Sequence, residues 1–284
     1  MTIHPSDPSQ RAAPDIHAGS PDRFGYSHVL KKLLDIHVEQ FNGWTAALPP
    51  ELWKGASFLD VGCGMGRNSL WATQKGAGPG VAIDVDEGAL AFAGDILRAK
   101  TEVPVEVRWM SAYQIDFQDH FDIAFSLGVI HHLENPELAV QNMVKATKPG
   151  GRVLVWLYGR ENNGWIVHLF NPVRRLIFSR LPIRVTDHLS WGLAVVLWAM
   201  LHLGWGRLPY HDLLRKTTLR HLKQITFDHM LPQIALYYRR EEAENLLRQA
   251  GLTDIVSVWT NRMSWSVSGI KPQTPTPTAT SSAP

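Results

Sequence analysis

Between residues 57 and 158 the chain alternates short apolar runs with stretches of helical spacing. Ser57–Val61 (SFLDV), Gly80–Val85 (GVAIDV), Val105–Met110 (VEVRWM), Phe121–Leu127 (FDIAFSL) and Arg152–Tyr158 (RVLVWLY) are apolar almost without a break. Near-continuous apolarity means that both faces of a strand are covered, which points to a parallel sheet. Arg67–Lys75 and Glu87–Ala99 carry the helical pattern between them. Asn135 as N-cap and Pro136 as the first helical residue predict a third helix, running to about Thr147. Lys148–Gly151 (KPGG) then predicts a turn into the fifth strand. Strand–helix alternation of this kind is an α/β fold with helices on both sides of the sheet.

The alternation stops at Gly159. Residues 160–235 carry long helical patterns and no clear strand, and are expected to form a helical lid inserted after the fifth strand. A last helix, about Arg240–Ala250, should end at Gly251, a natural residue for a left-handed helix exit. Asp254–Thr260 and Ser264–Ile270 read as two further strands joined at Asn261–Met263. Residues 1–22 and 271–284 are rich in Pro, Ser and Thr and are expected to be disordered tails. That division places an N-terminal cap and cofactor-binding part at 23–159 and the end of the same domain at 236–270.

The chemistry concentrates in Phe58–Asn68, FLDVGCGMGRN. A buried strand ends in Asp60 and passes through Gly62, Gly64 and Gly66 into a helix. Glycines there allow a sharp turn and let a ligand approach the backbone. The first strand-to-helix crevice of an open α/β sheet is a ligand site. The second strand ends in Asp84, 18 residues past Gly66, where a carboxylate can accept two hydrogen bonds from a ribose diol. A pyrophosphate cradle wants G-x-G-x-x-G; G-C-G-M-G is one residue short in its last interval. The spacing therefore favours a nucleoside without a phosphate over NAD, and Asp60 suits a ligand that carries a cation.

LDVGCGMGRN, AIDVD, FDIAFSLGVIHHL and KPGGRVLVWLYG resemble, in order, the motifs of class I S-adenosylmethionine-dependent methyltransferases. FDHMLPQIALYYRREEAENLLRQAGL resembles the closing segment of the ubiquinone/menaquinone-methyltransferase-like bacterial branch. The resemblance implies a doubly wound, mostly parallel seven-stranded sheet whose last two strands form an antiparallel edge pair. It implies S-adenosylmethionine as cofactor, with Gly62, Gly64 and Gly66 turning the loop that holds the methionine part and Asp60 supporting it. It implies Asp84 on the ribose, Val85 and Ala112 against the adenine, and carbonyls of Ser126 and Leu127 for the α-amino group. Ser111 stands where many members carry an acidic residue toward the adenine amino group, a departure that implies adenine recognition through backbone groups or a weaker contact there.

Methyl transfer needs a base only for a protonated nucleophile. His131, His132, Tyr158, Asp228, His229 and Tyr237 are the candidates, with His132 placed first because it follows the fourth strand, and Asp228 as a further choice. No Cys/His/Asp spacing completes a metal site. Phe24, Tyr26 and Trp44 precede the first strand and are expected on a helix over the cofactor, with Tyr26 reaching the methionine carboxylate.

Composition adds three points. The chain has 284 residues, is 45% hydrophobic and 19% charged, and has a formal net charge of +2, so whole-chain charge says little about partners. One cysteine, Cys63, excludes an internal disulfide and fits a reducing cytoplasmic setting. From Asn171 to Lys223 nine Lys/Arg face two Asp, around an apolar stretch Leu189–Gly206 with Trp191, Trp198 and Trp205 at seven-residue spacing. That stretch reads either as a lid helix packed on the core or as a helix lying on a membrane surface; a span is rejected, because the last helix and strands must rejoin the sheet. The expected acceptor is a small molecule, a lipid-linked compound or a glycan, and the membrane reading narrows it to an apolar, acidic or lipid-linked one. The basic residues alternate with apolar runs rather than with stacking aromatics, which argues against nucleic acid. An NAD(P)-dependent oxidoreductase and a non-catalytic nucleotide-binding module are the alternative readings.

Overall fold

The computed structural model describes residues 34–164, 166–203, 214–215, 217–230 and 232–273. The expected tails at 1–22 and from 274 onward, together with Phe24, Tyr26 and Trp205, lie outside the described residues.

The chain enters through helix α1 (Leu34–Trp44) and a short 3-10 turn at Pro50–Trp53. Then follow β1 (Phe58–Val61), α2 (Arg67–Gln74), β2 (Gly80–Asp84), α3 (Glu87–Lys100), β3 (Val105–Trp109) and β4 (Phe121–Leu127). A 3-10 turn at Ile130–His132 leads to α4 (Pro136–Ala146) and β5 (Thr147–Tyr158). The helical insert comprises a π-turn at Ile166–Phe170, α5 (Asn171–Leu176), a 3-10 turn at Phe178–Arg180, α6 (Ile183–Leu203) and α7 (Leu219–Met230). The chain returns through α8 (Arg240–Gln249), β6 (Thr253–Thr260) and β7 (Ser264–Ile270).

The seven strands form one sheet in the order β3-β2-β1-β4-β5-β7-β6. The first five are parallel, and β7 runs antiparallel to both β5 and β6. The predicted strand and helix ends hold to within a few residues, with one correction. Thr147 already pairs with Phe121, and Arg152 pairs with Ile123, so the Lys148–Gly151 segment is an irregularity inside β5 rather than a turn before it. Lys148 donates to Asp122 from there at 2.8 Å, and Asp122 in turn accepts from the Ser57 amide and hydroxyl.

Local chemistry sets the helix ends. The Asn135 side chain accepts from Leu138 N–H at 3.0 Å, with Pro136 next in line. Asp86 caps α3 by accepting from Ala89 N–H. Gly251, at φ 88°, ends α8 as expected.

Two apolar layers cover the sheet. One is built on Leu59, Val61, Ile83, Val153, Val155 and α4, and the other on Phe58, Phe125, Leu154 and the aromatic residues of the N-terminal segment. In that second layer Trp44 stacks on Trp156 at 4.8 Å, while Ser266 donates to the Trp44 carbonyl and Ser268 to the Ala47 carbonyl. Trp44 therefore packs against β5 and β7 and not over the glycine loop, because the buried serines of β7 supply hydrogen-bond partners for the backbone that follows α1.

The α6 helix resolves two open readings in part. Thr186, Ser190, Ala194 and Leu201 form its buried side, against α7. Trp191 and Trp198 are exposed, so the tryptophan face does not pack on the core. No helix among the described residues is long and apolar enough to cross a membrane.

Candidate active site

The strand order reverses direction at β1, between β2 and β4, and the carboxyl ends of these three strands frame a crevice. The Gly62–Gly66 loop lines it. Gly62 N–H and Cys63 N–H both donate to the Ile83 carbonyl, fastening the loop to β2. Gly62 (φ 76°) has no room for a side chain: a Cβ there would lie 2.4 Å from Val129 Cγ2. Gly64 (φ 51°) is the opposite case, since a Cβ there would meet no protein atom within 4 Å. The loop thus uses one glycine for packing and leaves the next facing open space. Gly66 (φ 77°) sits at the start of α2, tight against Ala93 of α3.

Asp84, at the tip of β2, binds this loop directly. Its Oδ2 accepts from Gly64 N–H at 2.7 Å, and its Oδ1 from Val85 N–H at 2.7 Å and Asp86 N–H at 3.1 Å. The helix cap beside it is Asp86, which leaves Asp84 free of that duty. A carboxylate has about four acceptor directions, so it retains capacity beyond these three bonds.

Asp60 lies under the loop, fully buried, and accepts from Ser69 Oγ at 2.6 Å. Burial pushes its carboxyl up to about 7, helped by the nearby Asp84 charge and opposed by the Ser69 hydrogen bond. Its Oδ1 finds no partner among the described residues. A cation seated above the loop would offset that cost; Asp60 lies beneath the loop and is not a wall of the crevice.

The tip of β4 completes the frame. Ser126 is buried and donates to the Val61 carbonyl at 2.8 Å, and Leu127 is buried beside it. On the other side, Val85 is exposed, and Trp109 Nε1 donates to its carbonyl at 2.9 Å. Ser111 Oγ accepts from Tyr113 N–H, and the Ala112 carbonyl accepts from Asn142. The Ser111 hydroxyl is thus engaged in a local turn. Arg67, next to Gly66, is hydrogen-bonded to His37 of α1 at 2.8 Å.

A second group of residues lies past Val129. His131 and Tyr158 have ring centroids 3.9 Å apart, His131 and His132 4.3 Å, Tyr158 and Tyr237 5.4 Å, and Tyr158 and His229 5.9 Å. The chain between α7 and α8 makes this possible by strapping across the strand ends. Leu236 N–H donates to the His131 carbonyl, Tyr238 N–H to the Tyr158 carbonyl and Arg160 N–H to the Tyr238 carbonyl. His132 Nδ1 donates to the Ile234 carbonyl at 2.8 Å, so the neutral ring carries its lone pair on Nε2. Burial lowers His132 to about 4. His131 and His229 are also lowered, by burial first.

Of the six bases named from sequence, His131, His132, Tyr158, His229 and Tyr237 therefore share one cluster. Asp228 lies on α7, but its side chain is outside the described residues, as is Tyr26 altogether. Sequence reading missed Arg174 of α5, which is buried against this cluster and hydrogen-bonded to Tyr237. Its only signal was membership in a basic segment. No group of three or more potential metal ligands occurs among the described residues.

Comparison with known proteins agrees with this geometry. Residues 59–155 match the family described as "Methyltransferase domain". Phosphoethanolamine N-methyltransferase 2 of Caenorhabditis elegans is 31% identical over 107 residues, 37% of this chain and 24% of that protein. Ubiquinone biosynthesis O-methyltransferase of Pseudomonas entomophila (strain L48) is 30% identical over 130 residues, 45% of this chain and 54% of that protein. The chain thus spans about half the length, or less, of these curated relatives. The structure of an O-methyltransferase family protein from Burkholderia thailandensis superposes with a TM-score of 0.53 at 12% identity, over 88% of this chain and 62% of that one, which supports the fold. The oxidoreductase alternative has no support in these matches. The matched domain, the 3-2-1-4-5-7-6 sheet and the short-spaced glycine loop agree: residues 59–155 carry a methyltransferase domain, on a sheet with the topology of the S-adenosylmethionine-dependent methyltransferase fold.

Proposed function

We propose that this chain transfers a methyl group from S-adenosylmethionine to a small-molecule acceptor held under the helical insert. The observation that carries the reading is the Asp84–Gly64 pairing beside open space at the Gly64 Cβ position. S-adenosylmethionine supplies a methyl group already activated by its sulfonium. In this reading Gly62 and Gly64 present backbone to the methionine part, with the Asp60 carboxyl beneath. The free lone pairs of Asp84 accept from the ribose hydroxyls. Val85, Ser111 and Ala112 border the adenine, and carbonyls at Ser126 and Leu127 take the α-amino group. Tyr26 remains the candidate for the methionine carboxylate.

The work left to the protein is to hold the acceptor in line and to remove a proton where the nucleophile carries one. His132 is the proposed base, with Asp228 second. Its Nδ1–H is committed to Ile234, which leaves Nε2 unprotonated. A ring lowered to about 4 is neutral throughout the neutral pH range, so its basic form is fully present there and is lost only as the pH falls toward 4. Turnover from labelled S-adenosylmethionine into a small-molecule extract tests both points. His132→Gln should lower turnover of a hydroxyl acceptor by about 100-fold, the lower end of general-base effects. The parent should show no acidic limb near 6.5. Unchanged turnover in the variant would remove His132 from the mechanism.

The acceptor reading extends to a membrane-associated one. Trp191, Trp198, Val195, Val196 and Leu203 are exposed on α6 in a basic segment, as expected of a helix resting on an anionic lipid surface. A cytoplasmic protein peripheral to the membrane fits this. Co-sedimentation with anionic, but not neutral, liposomes at low salt is the expected result. Absence of binding to anionic vesicles would refute the membrane contact and leave the methyltransferase reading intact.

A further inference from the structure

Among the described residues, Arg174 is a buried charge that the mechanism above leaves unused. Arg174 is 3% exposed, and its Nε has no hydrogen-bond partner among the described residues. A guanidinium cannot shed its proton to escape burial, as a lysine or histidine can. An unpaired buried charge is among the costliest features a fold can carry. Among the described residues, the groups within its electrostatic reach are the phenols of Tyr158 and Tyr237 and the rings of His131, His132 and His229. None of these carries a negative charge at neutral pH, so nothing in this set neutralises the cation.

Position gives the charge a purpose. The residues form a continuous path from the glycine loop: Gly62 abuts Val129, the turn at Ile130–His132 follows, Tyr158 stacks on His131, and Tyr237 beside Tyr158 is hydrogen-bonded to Arg174. Arg174 stands at the far end of that path, beyond the proposed base. The donor end already has a cation in Arg67, next to Gly66.

We propose that Arg174 and Tyr237 form an oxyanion subsite for the methyl acceptor, which carries a carboxylate or phosphate group at the end remote from the methylated atom. The free Nε and an adjacent Nη present two parallel N–H donors, the geometry that a carboxylate or phosphate accepts in bidentate fashion. The aromatic rings between Arg174 and His132 would then enclose the body of the acceptor. This inference rests on the methyltransferase reading of the same crevice and narrows its substrate class to acidic compounds.

The test is a ligand-observed NMR titration of the full chain loaded with S-adenosylhomocysteine, using benzoate, phenyl phosphate and neutral benzamide as probes. The parent should bind at least one of the two anions about tenfold more tightly than benzamide; which anion wins distinguishes a carboxylate from a phosphate acceptor. Arg174→Met should abolish that preference while S-adenosylhomocysteine affinity stays within about twofold. Tyr237→Phe, which retains the ring, should weaken the preferred anion by several-fold and gives the same reading should the methionine variant not fold. Equal binding of all three probes by the parent overturns the inference, as does a preference that survives Arg174→Met. A collapse of S-adenosylhomocysteine affinity in Arg174→Met would assign the residue to the methionine carboxylate and also overturn it. Failure of the parent to bind S-adenosylhomocysteine at all would instead defeat the methyltransferase reading itself.

Discussion

Asp84→Asn is expected to weaken S-adenosylhomocysteine binding by about 100-fold, the loss of one to two charge-assisted hydrogen bonds. The size follows from the double duty of the carboxylate. Oδ2 holds Gly64 N–H, and Oδ1 holds the amides of Val85 and Asp86. An asparagine must turn its NH₂ toward one of these sets, setting donor against donor. Either the glycine loop comes away from β2 or the amides that start α3 lose their acceptor. In both cases the remaining oxygen is neutral and a weaker acceptor for a ribose diol. Asp86 still caps α3, so the sheet and its helices should persist, with a thermal midpoint lower by a few degrees. Binding within threefold of the parent, measured calorimetrically, would show that Asp84 does not hold the ligand.

The second large effect separates two glycines that look alike in sequence. Gly64→Ala places a methyl group where no protein atom lies within 4 Å, so its folding cost is that of a left-handed alanine, roughly 1–2 kcal/mol. In a chain of this size that lowers the thermal midpoint by about 2–4 °C per kcal/mol. Ligand affinity should nevertheless fall by more than tenfold, because the methyl group enters the space through which the backbone meets the nucleoside. Gly62→Ala should do the reverse. Its Cβ would sit 2.4 Å from Val129 Cγ2, and relief requires moving the β4 loop, so the added overpacking should cost roughly 1–3 kcal/mol beyond the same backbone strain. A thermal melt and a binding isotherm on each variant decide the matter. An alanine at residue 64 that binds as the parent does would mean that the open space is not the ligand site.

That contrast marks the boundary of what the chain discloses on its own. The strands, the glycine loop and Asp84 were legible because each rests on neighbours in sequence: continuous apolar runs, a turn that needs glycine, and a carboxylate closing a strand. The roles within the loop were not, because Val129 and Ala93 arrive from other elements. The histidines and tyrosines could be named as candidates, yet their meeting depends on the Ile234–Tyr238 strap and its bonds to His131 and Tyr158. Arg174 was one of nine basic residues in its segment, and nothing local distinguishes it as buried. Trp44 was placed over the cofactor because it precedes β1, whereas the serine face of β7 binds the following backbone and turns the ring toward Trp156. The seven-residue tryptophan spacing fixed a helix face but could not say whether that face met the core or solvent.

The central claim is that the crevice between the tips of β1, β2 and β4 seats a sulfonium nucleoside. Calorimetric titration of the purified chain with S-adenosylhomocysteine, and in parallel with NAD, tests it most directly. The predicted result is one site per chain with micromolar affinity for S-adenosylhomocysteine and no measurable heat with NAD. Saturable binding of NAD, or none of S-adenosylhomocysteine, would contradict it.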